Sequence, residues 1–107
     1  MFSRIILVAA GVLSATSAAD AQGLSPSAQR GYRFALANCA RCHSIDKVTQ
    51  SPLRIAPPFR TLHLRYPVES LEEALGEGIV TGHPTMPEFR LAGDQIGDFI
   101  AFLKTLE

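Results

Sequence analysis

Five consecutive residues, Cys39-Ala40-Arg41-Cys42-His43, constrain this 107-residue chain more than any other stretch of it. Cys39 and Cys42 are its only cysteines. They stand three positions apart, so both thiols fall on one helical turn, and a histidine follows directly. A single pair cannot build the framework of a disulfide-rich mini-protein. The remaining composition, 47% hydrophobic and 19% charged, is that of one folded domain and not of a disordered tail. Ten basic residues balance ten acidic ones. The chain therefore has no net field with which to hold a polyanion, and the reading includes no nucleic-acid partner.

The beginning of the chain reads as an export signal. Met1-Phe2-Ser3-Arg4 carries one positive charge, and Ile5 to Leu13 forms a nine-residue apolar core. Ala19-Asp20-Ala21 supplies a small-x-small cleavage site. The expected division is a signal peptide over residues 1–21 and a domain over residues 22–107. The competing reading is a retained anchor, but nine residues fall well short of the roughly 18–20 needed to cross a bilayer as a helix. No membrane span is expected after cleavage. The 86 residues that remain are few enough that their own core is marginal, so a staple or a bound cofactor would help.

The domain reads as all-α. Ser25-Pro26 starts a helix that runs to about Asn38, with a hydroxyl at the cap and proline where its missing N–H costs nothing. Three prolines between Ser51 and Pro58 make that stretch an extended loop. Ser70-Leu71-Glu72-Glu73 has the form of a capping box and predicts a helix from about Leu71 to Ile79 with Leu71, Leu75 and Ile79 on its apolar face. Gly78 and Gly82 mark its failure, and Thr81 to Pro87 is a second proline-bearing loop. A last helix spans about Gly93 to Leu106, where Ile96, Phe99, Ile100, Leu103 and Leu106 recur at three- and four-residue steps. Its cap, Ala92-Gly93, lacks a side-chain acceptor, so its first turn is expected to fray.

Several chemistries use two cysteines at this spacing. A dithiol redox site belongs with a strand-containing fold, and no segment alternates as a strand would. A structural zinc site wants a second ligand pair, whereas His63 and His83 lie twenty residues apart. A plain disulfide is the simplest reading. The remaining one is covalent attachment of a c-type haem, for which Cys-x-x-Cys-His is the known pattern. Both thiols then reach the vinyl groups on one side of the porphyrin, and the imidazole of His43 meets the iron.

A second axial ligand is available in Gly82-His83-Pro84-Thr85-Met86-Pro87. Met86 is the only methionine beyond Met1 and sits on a loop stiffened by prolines, a poor place for ordinary core filler. His83 is the competing ligand.

Taken together, residues 22–107 resemble a class I c-type cytochrome of the short, single-haem bacterial kind. Gly31-Tyr32-Arg33-Phe34-Ala35 precedes Asn38-Cys39-Ala40-Arg41-Cys42-His43 as in the family's first helix. Ala56-Pro57-Pro58-Phe59 is similar to its proline loop, and Gly82-His83-Pro84-Thr85-Met86-Pro87-Glu88-Phe89 to its distal methionine loop. The resemblance implies three to four short helices packed around one covalently attached haem c. It implies His43 as proximal ligand, Met86 as distal ligand and Pro57 as the carbonyl that accepts the histidine N–H, with Pro58 one residue away. It also implies a close crossing of the first and last helices at Gly31, with Phe99 or Phe102 beside it. Phe102 stands where the family often has tyrosine.

Charge is uneven along the chain. Lys47, Arg54, Arg60 and Arg65 fall in an acid-free stretch, followed by Glu69, Glu72, Glu73 and Glu77. Arg60 and Arg65, with Tyr66 as a hydroxyl donor, are candidates to face the haem propionates. His63 is a possible neighbour of those propionates. The function the resemblance implies is one-electron transfer between periplasmic or membrane-bound redox partners, among them dehydrogenases and oxidases. The chain as a subunit of such a complex, or as a gas-binding or peroxidase-like protein should Met86 leave the iron, are the alternatives.

Overall fold

The computed structural model describes residues 6–12, 23–78 and 86–107. The predicted cleavage site at Ala19-Asp20-Ala21 and the candidate ligand His83 lie outside the described residues, as do Ile79 and Gly82. Among the described residues there are three α-helices, two 3-10 helices and no strand. No helix among them is long and apolar enough to cross a membrane. Ile6, Leu7, Val8 and Val12 are each more than four-fifths exposed.

Helix α1 spans Pro26–Asn38 and begins as the sequence predicts. Ser25 is extended, and its Oγ accepts the Ala28 N–H at 3.1 Å. Ala28, Gly31 and Ala35 form a buried stripe of small residues, which lets a second helix come close. That helix is α3, Gly93–Lys104, which turns Phe99, Ile100, Phe102 and Leu103 inward. At the crossing, a Cβ on residue 31 would collide with the carbonyl oxygen of Asp98 and lie 2.7 Å from Cβ of Phe102. Phe102, not Phe99, is therefore the aromatic that packs beside Gly31. The same ring meets Tyr32 edge-on with centroids 5.6 Å apart.

The crossing also carries a polar staple. Arg30 grips Asp98 with two hydrogen bonds, Nε to Oδ2 at 2.9 Å and Nη2 to Oδ1 at 3.0 Å. Ser27 Oγ donates to Oδ1 at 2.7 Å. The guanidinium holds the Asp98 carboxyl below its ordinary range.

Helix α2, Leu71–Glu77, starts at the expected residue but without the expected cap. Ser70 makes no capping hydrogen bond because it already has helical torsions, φ −63° and ψ −16°. Pro67 starts a 3-10 turn, Val68–Ser70, that feeds straight into the helix. Gly78, the residue directly before Ile79 in the sequence, then ends α2 at φ +108°. Leu75 and Val68 are buried as core. At the start of α3, Gln95 Oε1 accepts the Ala92 N–H at 3.1 Å, so this end has the partner the sequence reading did not foresee.

Candidate cofactor site

The Cys-x-x-Cys-His segment is shaped by the end of α1. The Cys39 and Ala40 N–H groups both donate to the Ala35 carbonyl, and those of Cys42 and His43 both donate to the Cys39 carbonyl. The chain thus makes one further turn between Cys39 and His43. Cys39 and Cys42 are free thiols. Burial pushes the Cys39 thiol up to about 11, so it is neutral near pH 7. Among the described residues no cluster of three or more His, Cys, Asp or Glu could hold a metal ion, which leaves the zinc reading without ligands there.

His43 is held by the loop that follows. Its Nδ1 lies 2.8 Å from the carbonyl oxygen of Pro57. A carbonyl only accepts, so Nδ1 is the donor in this bond, which fixes the orientation of the ring. The partner is Pro57 and not Pro58, because the Pro58 carbonyl accepts from the Thr61 N–H and hydroxyl. Two backbone bonds set the height of this loop: Leu53 N–H to the Cys42 carbonyl at 3.1 Å and Phe59 N–H to the Ser44 carbonyl at 2.9 Å.

Beneath them is a polar knot around buried Ser44. Its N–H donates to Ser51 Oγ at 3.0 Å, and its hydroxyl pairs with Thr49 Oγ1 at 3.1 Å. Asp46 accepts from the N–H groups of Val48 and Thr49 and from the Thr49 hydroxyl, which lowers its carboxyl to about 2. Arg60 completes the knot, with Nη1 donating to the Thr49 carbonyl at 2.6 Å.

Cys39, Cys42, His43, Pro57, Tyr66 and Met86 all line one cavity of about 310 Å³, whose other walls are Asn38 and apolar side chains such as Phe34, Leu62, Leu75 and Phe99. Aromatic rings run round it in sequence. Phe89 meets Phe34 at 6.5 Å, Phe34 meets Phe99 at 5.8 Å, Phe99 meets Phe59 at 5.7 Å, and Phe59 lies 4.8 Å from the His43 ring. Edge contacts of this kind stiffen both walls. The order of the rings round the cavity depends on the α1–α3 crossing, which brings residues far apart in sequence together.

Arg60 and Arg65, offered as partners for propionates, are not brought to this cavity. Arg60 is engaged in the knot under Ser44. Arg65 is exposed and lines a separate shallow hollow with His63, Glu69 and Glu107, which Tyr66 shares with the cavity. His63 Nδ1 is buried there with no hydrogen-bond partner.

The donor set suits one type of group. Two thiols, a thioether and an imidazole of fixed orientation on an otherwise mostly apolar wall match a flat, conjugated macrocycle carrying a central metal, and the fold around them is all helical. That combination defines a haem-binding domain with covalent attachment points. The family model described as Cytochrome c matches residues 28–107, and the chain belongs to that family as a class I c-type cytochrome. The comparisons with curated proteins and with solved structures give no match. Membership brings haem c, bound covalently, with Cys39 and Cys42 where the attachment motif lies, and haem-based electron transfer as the activity.

Proposed function

We propose that the chain is a single-electron carrier in which His43 and Met86 fill both axial positions of haem c and Cys39 and Cys42 form its thioethers. The observation that carries this is the hydrogen bond from His43 Nδ1 to Pro57 at the wall of the cavity that Met86 also lines. When bound, haem supplies a one-electron ferric/ferrous couple. Pro57 orients the imidazole and makes Nε2 a better donor. Met86 contributes a thioether, which favours the less charged ferrous state and raises the potential. The apolar lining keeps water away and acts in the same direction.

With His43 and Met86 both on the iron, these residues would leave no open position there for substrate. Haem held in this way would exchange single electrons with a docked partner. Residues 1–21 are the signal that exports the chain to the periplasm, in keeping with the exposed apolar run at Ile6–Val12. The partners are membrane complexes, dehydrogenases or oxidases that dock briefly.

A reductive titration of the exported holoprotein tests this reading. It should follow a one-electron curve, and carbon monoxide should bind the reduced protein slowly at neutral pH. Fast binding would instead support a gas-binding or peroxidase-like protein with an open site.

A further inference from the structure

The chain that follows Met86 is fastened to the end of α2. Two carbonyls of the last turn of α2 are met from that segment: Leu91 N–H donates to the Leu75 carbonyl at 2.8 Å, and Arg90 Nε donates to the Glu77 carbonyl at 3.1 Å. Helix ends leave such carbonyls without intrahelical partners, so the two bonds satisfy groups that otherwise need water. Leu75 and Leu91 are both buried, which makes the first bond part of the core.

Residues 88–91 carry no helical structure, and the neighbours alternate in direction. Glu88 and Arg90 lie against Gly78, where an added Cβ would come within 2.5 Å of Glu88 Oε1 and 3.5 Å of the Arg90 guanidinium. Phe89, between them, reaches Phe34 and lines the cavity together with Met86 and Pro87. A slip of one residue would exchange these two directions, putting a charged side chain where Phe89 now sits.

We infer that Gly78 and Arg90 form a clasp that sets the register of the segment bearing Met86, and are thereby positioning residues for its sulfur. The inference rests on Met86 being the distal ligand. Gly78 gives the left-handed turn and the room; Arg90 ties the returning chain to the Glu77 carbonyl. Loosening the clasp lowers the effective concentration of the sulfur at its site, so a competing ligand gains access.

The test is the affinity of the ferric holoprotein for external imidazole, measured by absorption in wild type and in Arg90→Ala, Arg90→Lys, Gly78→Ala and Met86→Ala. Arg90 is largely exposed, so its variants should fold and keep covalent haem. Arg90→Ala should bind imidazole roughly two- to thirteen-fold more tightly, the scale of one lost hydrogen bond. Arg90→Lys should lie between it and wild type, and Gly78→Ala, strained at its positive φ, should exceed both. Unchanged affinity in Arg90→Ala and Gly78→Ala, against a large gain in Met86→Ala, would overturn the clasp and leave the ligand reading intact. No gain in Met86→Ala would overturn the ligand reading and the clasp with it. A fall in melting temperature without a change in affinity would assign Arg90 a purely structural role and also overturn the clasp.

Discussion

Gly31 and Asp98 meet backbone to backbone where α1 crosses α3: a Cβ at position 31 would fall on the Asp98 carbonyl. Neither partner can yield cheaply, since one is a helix interior and the other is a carbonyl within a helical ladder. Gly31→Val should therefore destabilise by at least the usual overpacking cost of about 1–3 kcal/mol. Denaturant unfolding followed by circular dichroism measures it, and an unchanged midpoint would refute the crossing.

The carboxylate of Asp98 ties the same junction from outside. Arg30 and Ser27 hold it below its ordinary range, and Asp46 is held to about 2 by Thr49 and Val48. A depressed folded-state value contributes stability that is present above the unfolded value and is lost as pH falls through the folded one. Stability should therefore drop progressively between about pH 4 and pH 2. Thermal melts across that range should show a shallower slope in Asp46→Asn than in wild type.

Arg60 is predicted to brace the loop through the knot around Ser44. Arg60→Met should cost about 0.5–1.5 kcal/mol, the scale of the side-chain bonds it loses. Amide exchange should quicken at Leu53 and Phe59, whose N–H groups fix the height of the Pro57 loop. Unaltered exchange at both amides would contradict the role assigned to the knot.

Phe99 is the middle of the aromatic arc, touching both Phe34 and Phe59. Phe99→Ala should cost about 3–5 kcal/mol, as a buried aromatic truncated to a cavity does. It should also disturb His43, because Phe59 stands between them. The ring-proton shifts of His43 in the reduced holoprotein would register that disturbance; their constancy would mean the arc transmits nothing.

What the sequence made legible was local. Ser25-Pro26 predicted the start of α1, the periodic Phe99, Ile100 and Leu103 predicted most of the buried face of α3, which ends at Lys104 and also buries Phe102, and Cys39 to His43 predicted the chemistry. The capping box at Ser70 failed because Pro67, three residues earlier, had already begun a 3-10 turn, which a four-residue motif cannot report. The 3-10 helix Phe59–Leu64 was missed for a related reason: such short helices lack a 3.6-residue period. The partners of Asp98 and Arg60 depend on contacts between residues far apart in sequence, so charge alone could not name them.

The most direct measurement is the absorption spectrum of the exported protein, oxidised and reduced, in wild type and Met86→Ala. The haem should stay with the chain after denaturation and acid–acetone extraction. The oxidised wild type should show the far-red charge-transfer band of sulfur-ligated iron, and Met86→Ala should lose it. Haem extracted into the solvent, or a spectrum indifferent to Met86→Ala, would contradict the account.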